Sequence, residues 1–268
     1  MKVRGKVIVV TGGGNGIGRE VVLELLRRDA RVAAIDVRQA SLDETASIAA
    51  AGDRLLTLEC DLTDRAAVQA LPDRIVDALG PVDGLVNVAG IIQPFVRLAE
   101  LDYDTIERVM AVNFWGTVHT VKTFLPGLLQ RPTAHISNVS SMGGFLPVPG
   151  QTAYGASKAA VKLLSEGLYA ELLGTPVGVS VVMPGAVATD IASNSGVGAP
   201  AGVDAADAPK FPSTAPTDAA RIIVDGIEDN RLHVFVGRDS RMMDVARRIA
   251  PKGATRLIYR KMRSLLDA

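Results

Sequence analysis

The sequence predicts a doubly wound α/β domain, a parallel sheet of about seven strands with helices on both faces. Three observations carry that expectation. Short β-branched runs alternate with helix-period stretches, the first run ends in a glycine-rich turn that opens a helix, and no linker interrupts the alternation before Thr189. The 268 residues, 48% of them hydrophobic, supply a sizeable core for one domain. We place it at residues 1–237, with 238–268 as a C-terminal extension of the same domain.

Lys6–Val10 is an apolar β-branched run of the kind a strand buried on both faces requires, and Val21, Val22, Leu25 and Leu26 recur at helical spacing after it. Arg31–Asp36 is the next strand, which completes a βαβ unit. The alternation goes on with a helix near Ser41–Ala51, a strand Arg54–Cys60, a helix Arg65–Leu79 and a strand Asp83–Asn87. Asp102–Leu129 is one long helix or two abutting ones, kinked at Asn113–Gly116. A strand Ala134–Val139, a helix from Thr152 to about Leu173 and a strand Gly178–Met183 follow. Residues 190–213 are rich in Gly, Ala and Pro without periodicity, and read as a mobile loop. A helix Thr217–Glu228 and a strand His233–Val236 resume the fold.

Composition excludes several functions. With 29 basic and 29 acidic residues there is no global electrostatic case for nucleic acid. One cysteine, Cys60, forms no internal disulfide, and His119, His135 and His233 lack metal-ligand spacing, so a reducing cytoplasm is expected and a metal site is not. Cys60 reads as a buried small hydrophobe and His119 and His135 as structural, while Trp115 reads as packing its helix against the sheet. The N-terminal apolar stretch is too brief for a signal or membrane span.

The turn Thr11-Gly-Gly-Gly-Asn15-Gly16-Ile17-Gly18 lets backbone N–H groups and the positive end of a helix approach a pyrophosphate. Its Gly12-x-x-x-Gly16-x-Gly18 spacing differs from G-x-G-x-x-G and from the phosphate loop that ends in Lys-Ser/Thr. Asp36 ends the second strand 18 residues after Gly18, where a carboxylate can accept hydrogen bonds from an adenosine ribose and repel a 2′-phosphate. NAD is therefore expected rather than NADP, with Arg19 and Arg38 as the features that favour the alternative. Tyr154 and Lys158 stand i,i+4 on an alanine-rich helix, so they share a face, and an adjacent ammonium lowers a phenol's pKa. Tyr154 is accordingly a candidate general acid/base.

Taken together these motifs resemble the short-chain dehydrogenase/reductase family over nearly the whole chain. Thr11–Gly18 is similar to its T-G-x-x-x-G-x-G turn, Asp61-Leu62 to its adenine-contacting segment, and Asn87-Val-Ala89-Gly90 to its N-N-A-G motif with Val88 in place of the second Asn. Asn113 matches the family's active-site asparagine, Ser141 its catalytic serine, Tyr154 and Lys158 its Y-x-x-x-K, and Pro184-Gly185 with Thr189 the segment around the nicotinamide. Ser140 is the alternative to Ser141, separated from it by spacing alone.

The resemblance implies a Rossmann-type fold and an NAD-dependent oxidoreductase that moves a hydride between a nicotinamide and a secondary alcohol or ketone. In that scheme Tyr154 moves the proton, Ser141 binds the reacting oxygen, Lys158 holds the nicotinamide ribose, and Asn113 holds a water in a proton relay. An NADP-dependent ketone reductase and a catalytically idle dinucleotide sensor or scaffold are the alternatives. Met142–Val148, Gln151 and the loop 190–213 are expected to select a hydrophobic or mixed small molecule. The resemblance further implies a homo-oligomer, a tetramer or dimer built on the helices 102–129 and 152–173.

The extension 238–268 carries nine basic residues against three acidic, a net of +6. Ile258, Met262, Leu265 and Leu266 fall on one side of its helical projection. That side either covers the substrate pocket or a subunit interface, or meets an anionic membrane.

Overall fold

Successive residues of the first strand point to opposite faces, and both faces are covered. In the computed structural model β1 (Val7–Thr11) sends Val7 and Val9 into one apolar cluster and Ile8 and Val10 into another, so the unbroken β-branched run has no polar side. Six more strands, β2 (Arg31–Asp36), β3 (Leu55–Glu59), β4 (Gly84–Asn87), β5 (Ala134–Val139), β6 (Val177–Pro184) and β7 (His233–Val236), join it in one sheet of order β3-β2-β1-β4-β5-β6-β7. Every pairing is parallel, with Thr11 opposite Ile35 on one side and Asn87 on the other. The structure describes residues 1–189, 191–197, 213–263 and 266.

The helices are α1 (Gly16–Arg27), α2 (Gln39–Ala49), α3 (Arg65–Gln69), α4 (Leu71–Leu79), α5 (Tyr103–Met110), α6 (Gly116–Leu128), α7 (Thr152–Glu171), the short α8 (Ile191–Asn194), α9 (Pro216–Glu228), α10 (Arg238–Ile249) and α11 (Pro251–Met262). α4, α6 and α7 cover one face through Ile75, Phe124 and Leu168. α1, α2 and α9 cover the other through Leu25, Leu42 and Ile223. The stretch expected as one helix over 65–79 breaks at Ala70, because Pro72 has no N–H to give the preceding turn and occupies the first turn of α4 instead.

Between α5 and α6 the chain makes a π-helical turn, Ala111–Trp115, at the place where a kink is expected. It buries Asn113 completely and leaves Trp115 51% exposed, edge-on to Phe114. Trp115 thus packs neither on the sheet nor on the cleft, since two residues along a helical coil is close to its opposite face. Order reverses between β1 and β4, and this switch point opens a crevice at the carboxyl ends of the strands. Of the loop expected at 190–213, Ile191–Val197 and Ser213 are described, and the remaining residues, 190 and 198–212, lie outside the described residues.

Candidate active site

A cleft of about 620 Å³ lies over the switch point, inside the usual range for a ligand site, roughly 300–1,000 Å³. Its floor is the turn that leaves β1. Gly12 has φ +69° and sits so close to the β4 loop that a Cβ would lie 2.9 Å from Ala89 Cα. Asn15 caps α1 by accepting from Gly16 N at 2.6 Å, which directs the open end of that helix into the cleft. Asp36 borders the floor, its carboxylate accepting from Gly14 N at 3.0 Å and Arg38 N at 3.2 Å. Asp61, Leu62 and Thr63 close that end, with Asp61 Oδ1 accepting from both the backbone and the hydroxyl of Thr63.

At the other end Ser141, Tyr154 and Lys158 line the cleft with Ala89, Gly90 and Pro184. Ser141 leaves β5 extended and accepts from Gly143 N at 3.0 Å, and its hydroxyl lies close enough to Tyr154 to draw the phenol's pKa down. Ser140 faces a different task. Its hydroxyl donates to the Lys158 carbonyl at 2.7 Å, so of the two serines Ser141 is the one on the phenol. Lys158 is 3% exposed and donates to Val139 O at 3.0 Å. Gly185 and Thr189 continue the wall beyond β6, and Gly185 has no room for a Cβ because the Asp239 carboxylate lies against it. That carboxylate accepts from Ala186 N at 3.1 Å.

Three of the residues expected at the site lie behind the wall, where they shape it. Thr11 Oγ1 accepts from Val88 N and Ala89 N. Asn87 Nδ2 donates to Asn138 Oδ1 at 2.8 Å, and its carbonyl accepts from Thr120. Asn113 bonds both backbone groups of Ile91, at 2.8 and 2.9 Å, and donates to Ser157 Oγ at 2.9 Å. It thereby ties the β4 loop to α7 across the π-helical turn.

A sequence profile of the short chain dehydrogenase family matches residues 6–198. The chain belongs to that family. A Mycobacterium tuberculosis protein named as the oxidoreductase SadH is 36% identical over 265 residues, covering 95% of this chain and 94% of its own. A short chain dehydrogenase/reductase of Burkholderia phymatum, solved with NAD, is 29% identical with a TM-score of 0.81, covering 93% of this chain and 96% of its own. Another from Burkholderia cenocepacia, solved with NADP, is 25% identical at the same TM-score, covering 96% and 99%.

This short chain dehydrogenase is therefore an oxidoreductase on a Rossmann-type fold that takes a nicotinamide dinucleotide. Its residues fit that group: the glycine turn brings bare backbone to the cleft, α1 presents its N-terminus, and a carboxylate stands at the end of β2. Arg19 is spent elsewhere, donating to Gly14 O and pairing with Glu44, whereas Arg38 borders the cleft and donates to Asn194 Oδ1 at 2.9 Å.

Electrostatics in the cleft depart from the expectation in one respect. Burial pushes the Tyr154 phenol above its ordinary pKa, against the pull of the Ser141 hydroxyl, and draws Lys158 down to about 8. Desolvation by the surrounding protein is the largest cause of both shifts, and the Lys158 ammonium is engaged by Val139 O. His119 meets Leu62 O, His135 meets Ser180 and His233 meets Glu166, and among the described residues no cluster suits a metal. Cys60 is buried, and it also borders the cleft.

Sequence reasoning missed Gln93, Asn138, Thr120 and Asn194. Gln93 is fully buried: its amide oxygen accepts from Ala153 N and Tyr154 N, its Nε2 donates to Gly150 O, and its backbone carbonyl accepts from Gln151 Nε2 at 2.7 Å. Gln151 is accordingly held inside the fold and does not line the cleft, contrary to its expected role in choosing substrate. Phe145 and Leu146, also expected to choose substrate, are buried against α10 and α11. The described lining of the cleft includes instead Ile91, Ile92, Arg108, Val112, Val187 and Ile191.

Proposed function

We propose that this dehydrogenase interconverts a secondary alcohol and its ketone with NAD, and that Tyr154 moves the proton. The observation that carries the reading is that Ser141, Tyr154 and Lys158 share one wall of a cleft whose far end holds Asp36. A bound nicotinamide dinucleotide supplies the hydride acceptor or donor and, when oxidised, a positive ring charge in the same cleft.

The chain's own groups do the rest. Ser141 Oγ hydrogen-bonds the reacting oxygen and keeps it within reach of Tyr154. The Tyr154 hydroxyl takes the alcohol proton during oxidation and returns it during reduction. Lys158 holds the ribose hydroxyls and adds positive charge that favours the phenolate. Asn113 acts as a positioning residue, since its amide is committed to Ile91 and Ser157. Asp36 would favour NAD, because a carboxylate that borders the cleft at the end of β2 would repel a 2′-phosphate, with Arg38 the counterweight. The mostly apolar described lining, with Ile91, Ile92, Val112, Val187 and Ile191 beside Arg108, supports a hydrophobic or mixed substrate. The exposed Tyr103, Trp115, Leu163 and Tyr169 support a homo-oligomer built on α5 to α7.

The test pairs binding with turnover. NAD and NADP are titrated side by side, and reduction of each is followed with a panel of secondary alcohols that spans steroids, acyl-chain hydroxy compounds and small diols. Tighter NAD binding is expected, and Tyr154→Phe should bind NAD normally and turn over none of the substrates. Full turnover by that variant defeats the mechanism, and tighter NADP binding defeats the role given to Asp36.

A further inference from the structure

We infer that the outer face of α10 docks on an anionic lipid surface. The apolar side that the sequence offers for such a role is used inside the protein. Ile258 is buried and Met262 half-buried against Phe145, Leu146 and Met183, and Leu266 lies over Gly150, while Leu265 is outside the described residues. α10 carries a second stripe. Met242, Val245 and Ile249 are 65%, 50% and 79% exposed, and their spacing of three and four places them on one face, opposite the buried Met243.

Cations surround that stripe. Arg238, Arg241 and Arg248 flank it, and Arg247, Lys252, Arg256, Arg260, Lys261 and Arg263 extend the charge; all nine are exposed. Only Arg248 has an ion-pair partner among the described residues, Asp244 at 3.0 Å. Asp239 is turned inward onto Ala186 N. An exposed apolar stripe beside the unpaired Arg238 and Arg241 matches acyl chains beneath anionic headgroups. A second copy of this face would bring like charges together, which argues against self-pairing. Among the described residues no helix is long and apolar enough to cross a membrane, so the contact is peripheral.

The full chain is sedimented with vesicles of phosphatidylcholine mixed with phosphatidylglycerol and with vesicles of phosphatidylcholine alone. It should pellet with the first and stay in solution with the second. Arg241→Gln should weaken partitioning about fivefold, as one surface cation removed. Ile249→Asp should weaken it about tenfold or more, because apolar insertion is lost and a like charge meets the headgroups. Met242→Gln is a milder second probe should Ile249→Asp lower the unfolding temperature. Failure to pellet with anionic vesicles overturns the inference, as does unchanged pelleting of both stripe variants. A stripe-dependent change of oligomeric state in solution without lipid also overturns it, in favour of a second copy.

Discussion

The Gln93 amide oxygen accepts the backbone N–H of Tyr154 at 3.0 Å and that of Ala153 at 2.8 Å. The first turn of α7 has no cap from its own flanking residue, since Gln151 makes no side-chain cap bond. The cap comes from 61 residues earlier in the chain. One amide thus fixes the helix that presents Tyr154 to the loop that forms the Ile91 and Ile92 wall. Gln93→Leu should leave two N–H groups and the Gly150 carbonyl unpaired in the interior, at about 1–3 kcal/mol each. We expect a lower unfolding temperature and a fall in kcat larger than any change in NAD affinity. Gln93→Glu keeps the two acceptor bonds and should recover most of the kcat; loss of activity that merely tracks loss of folded protein would remove the positioning role.

Ser140 and Ser141 are neighbours with opposite duties, which makes them a matched pair for mutation. Ser141→Ala removes the partner of Tyr154 and, in the proposed mechanism, a donor to the reacting oxygen, and should lower kcat by about 10²-fold or more with little change in stability. Ser140→Ala removes a buried hydroxyl that donates to Lys158 O, and should cost about 1 kcal/mol of stability while most of the kcat survives. Steady-state kinetics and urea unfolding of the two variants side by side separate the roles. An inactive Ser140→Ala with an active Ser141→Ala would exchange them.

Asp36 also offers a graded test. Its carboxylate accepts from Gly14 N and Arg38 N, and Ser41 lies next to the same turn. Asp36→Ser removes the charge that opposes a 2′-phosphate and leaves Arg38, which borders the same cleft, to meet one. The ratio of NADP to NAD affinity should rise about tenfold or more, the scale of one charge-assisted hydrogen bond. Adding Arg38→Gln should reverse that rise, and calorimetric titration of both cofactors reads the effect. An unchanged ratio would mean that neither residue meets the ribose.

How much of this was legible in the chain depended on whether a role was local. The seven strands, the glycine turn and the Tyr154–Lys158 pair are written in short spacings, because strand periodicity, backbone access at glycine and i,i+4 neighbours act over a few residues. The π-helical turn was anticipated only as a kink at Asn113, since the register shift depends on how the amide is drawn to Ile91. Gln93 was invisible, because a lone glutamine in an irregular stretch carries no signal that it caps a helix 60 residues on. Gln151 was misplaced for a related reason: proximity to Tyr154 in sequence suggested the pocket, whereas its amide turns to the Gln93 carbonyl. The sign of the Tyr154 shift was missed because spacing shows the ammonium and not the desolvation.

Lys158 and His135 give the folded protein a pH dependence that can be read without substrate. Burial lowers Lys158 from 10.5 to about 8, so between those values the unfolded chain binds more protons than the folded one. Stability therefore rises with pH across that window, by an amount on the order of 3 kcal/mol. Cys60 and Tyr154, both raised by burial, work in the opposite sense above their ordinary values of 9.0 and 10.0, which leaves about pH 8 to 9 as the window in which the lysine dominates. On the acid side burial lowers His135 from 6.5 to about 3, and stability should be lost as pH falls through that interval. The His135 ring meets Ser180 at 2.9 Å through Nε2, while Nδ1 has no partner, so protonation would place an uncompensated charge beneath β6. Urea midpoints should climb from about pH 8 to 9 in the wild type and lose that climb in Lys158→Met. His135→Gln should flatten the acid limb and leave the alkaline one intact. A wild-type profile level on both limbs would show that neither group is held against its preferred charge.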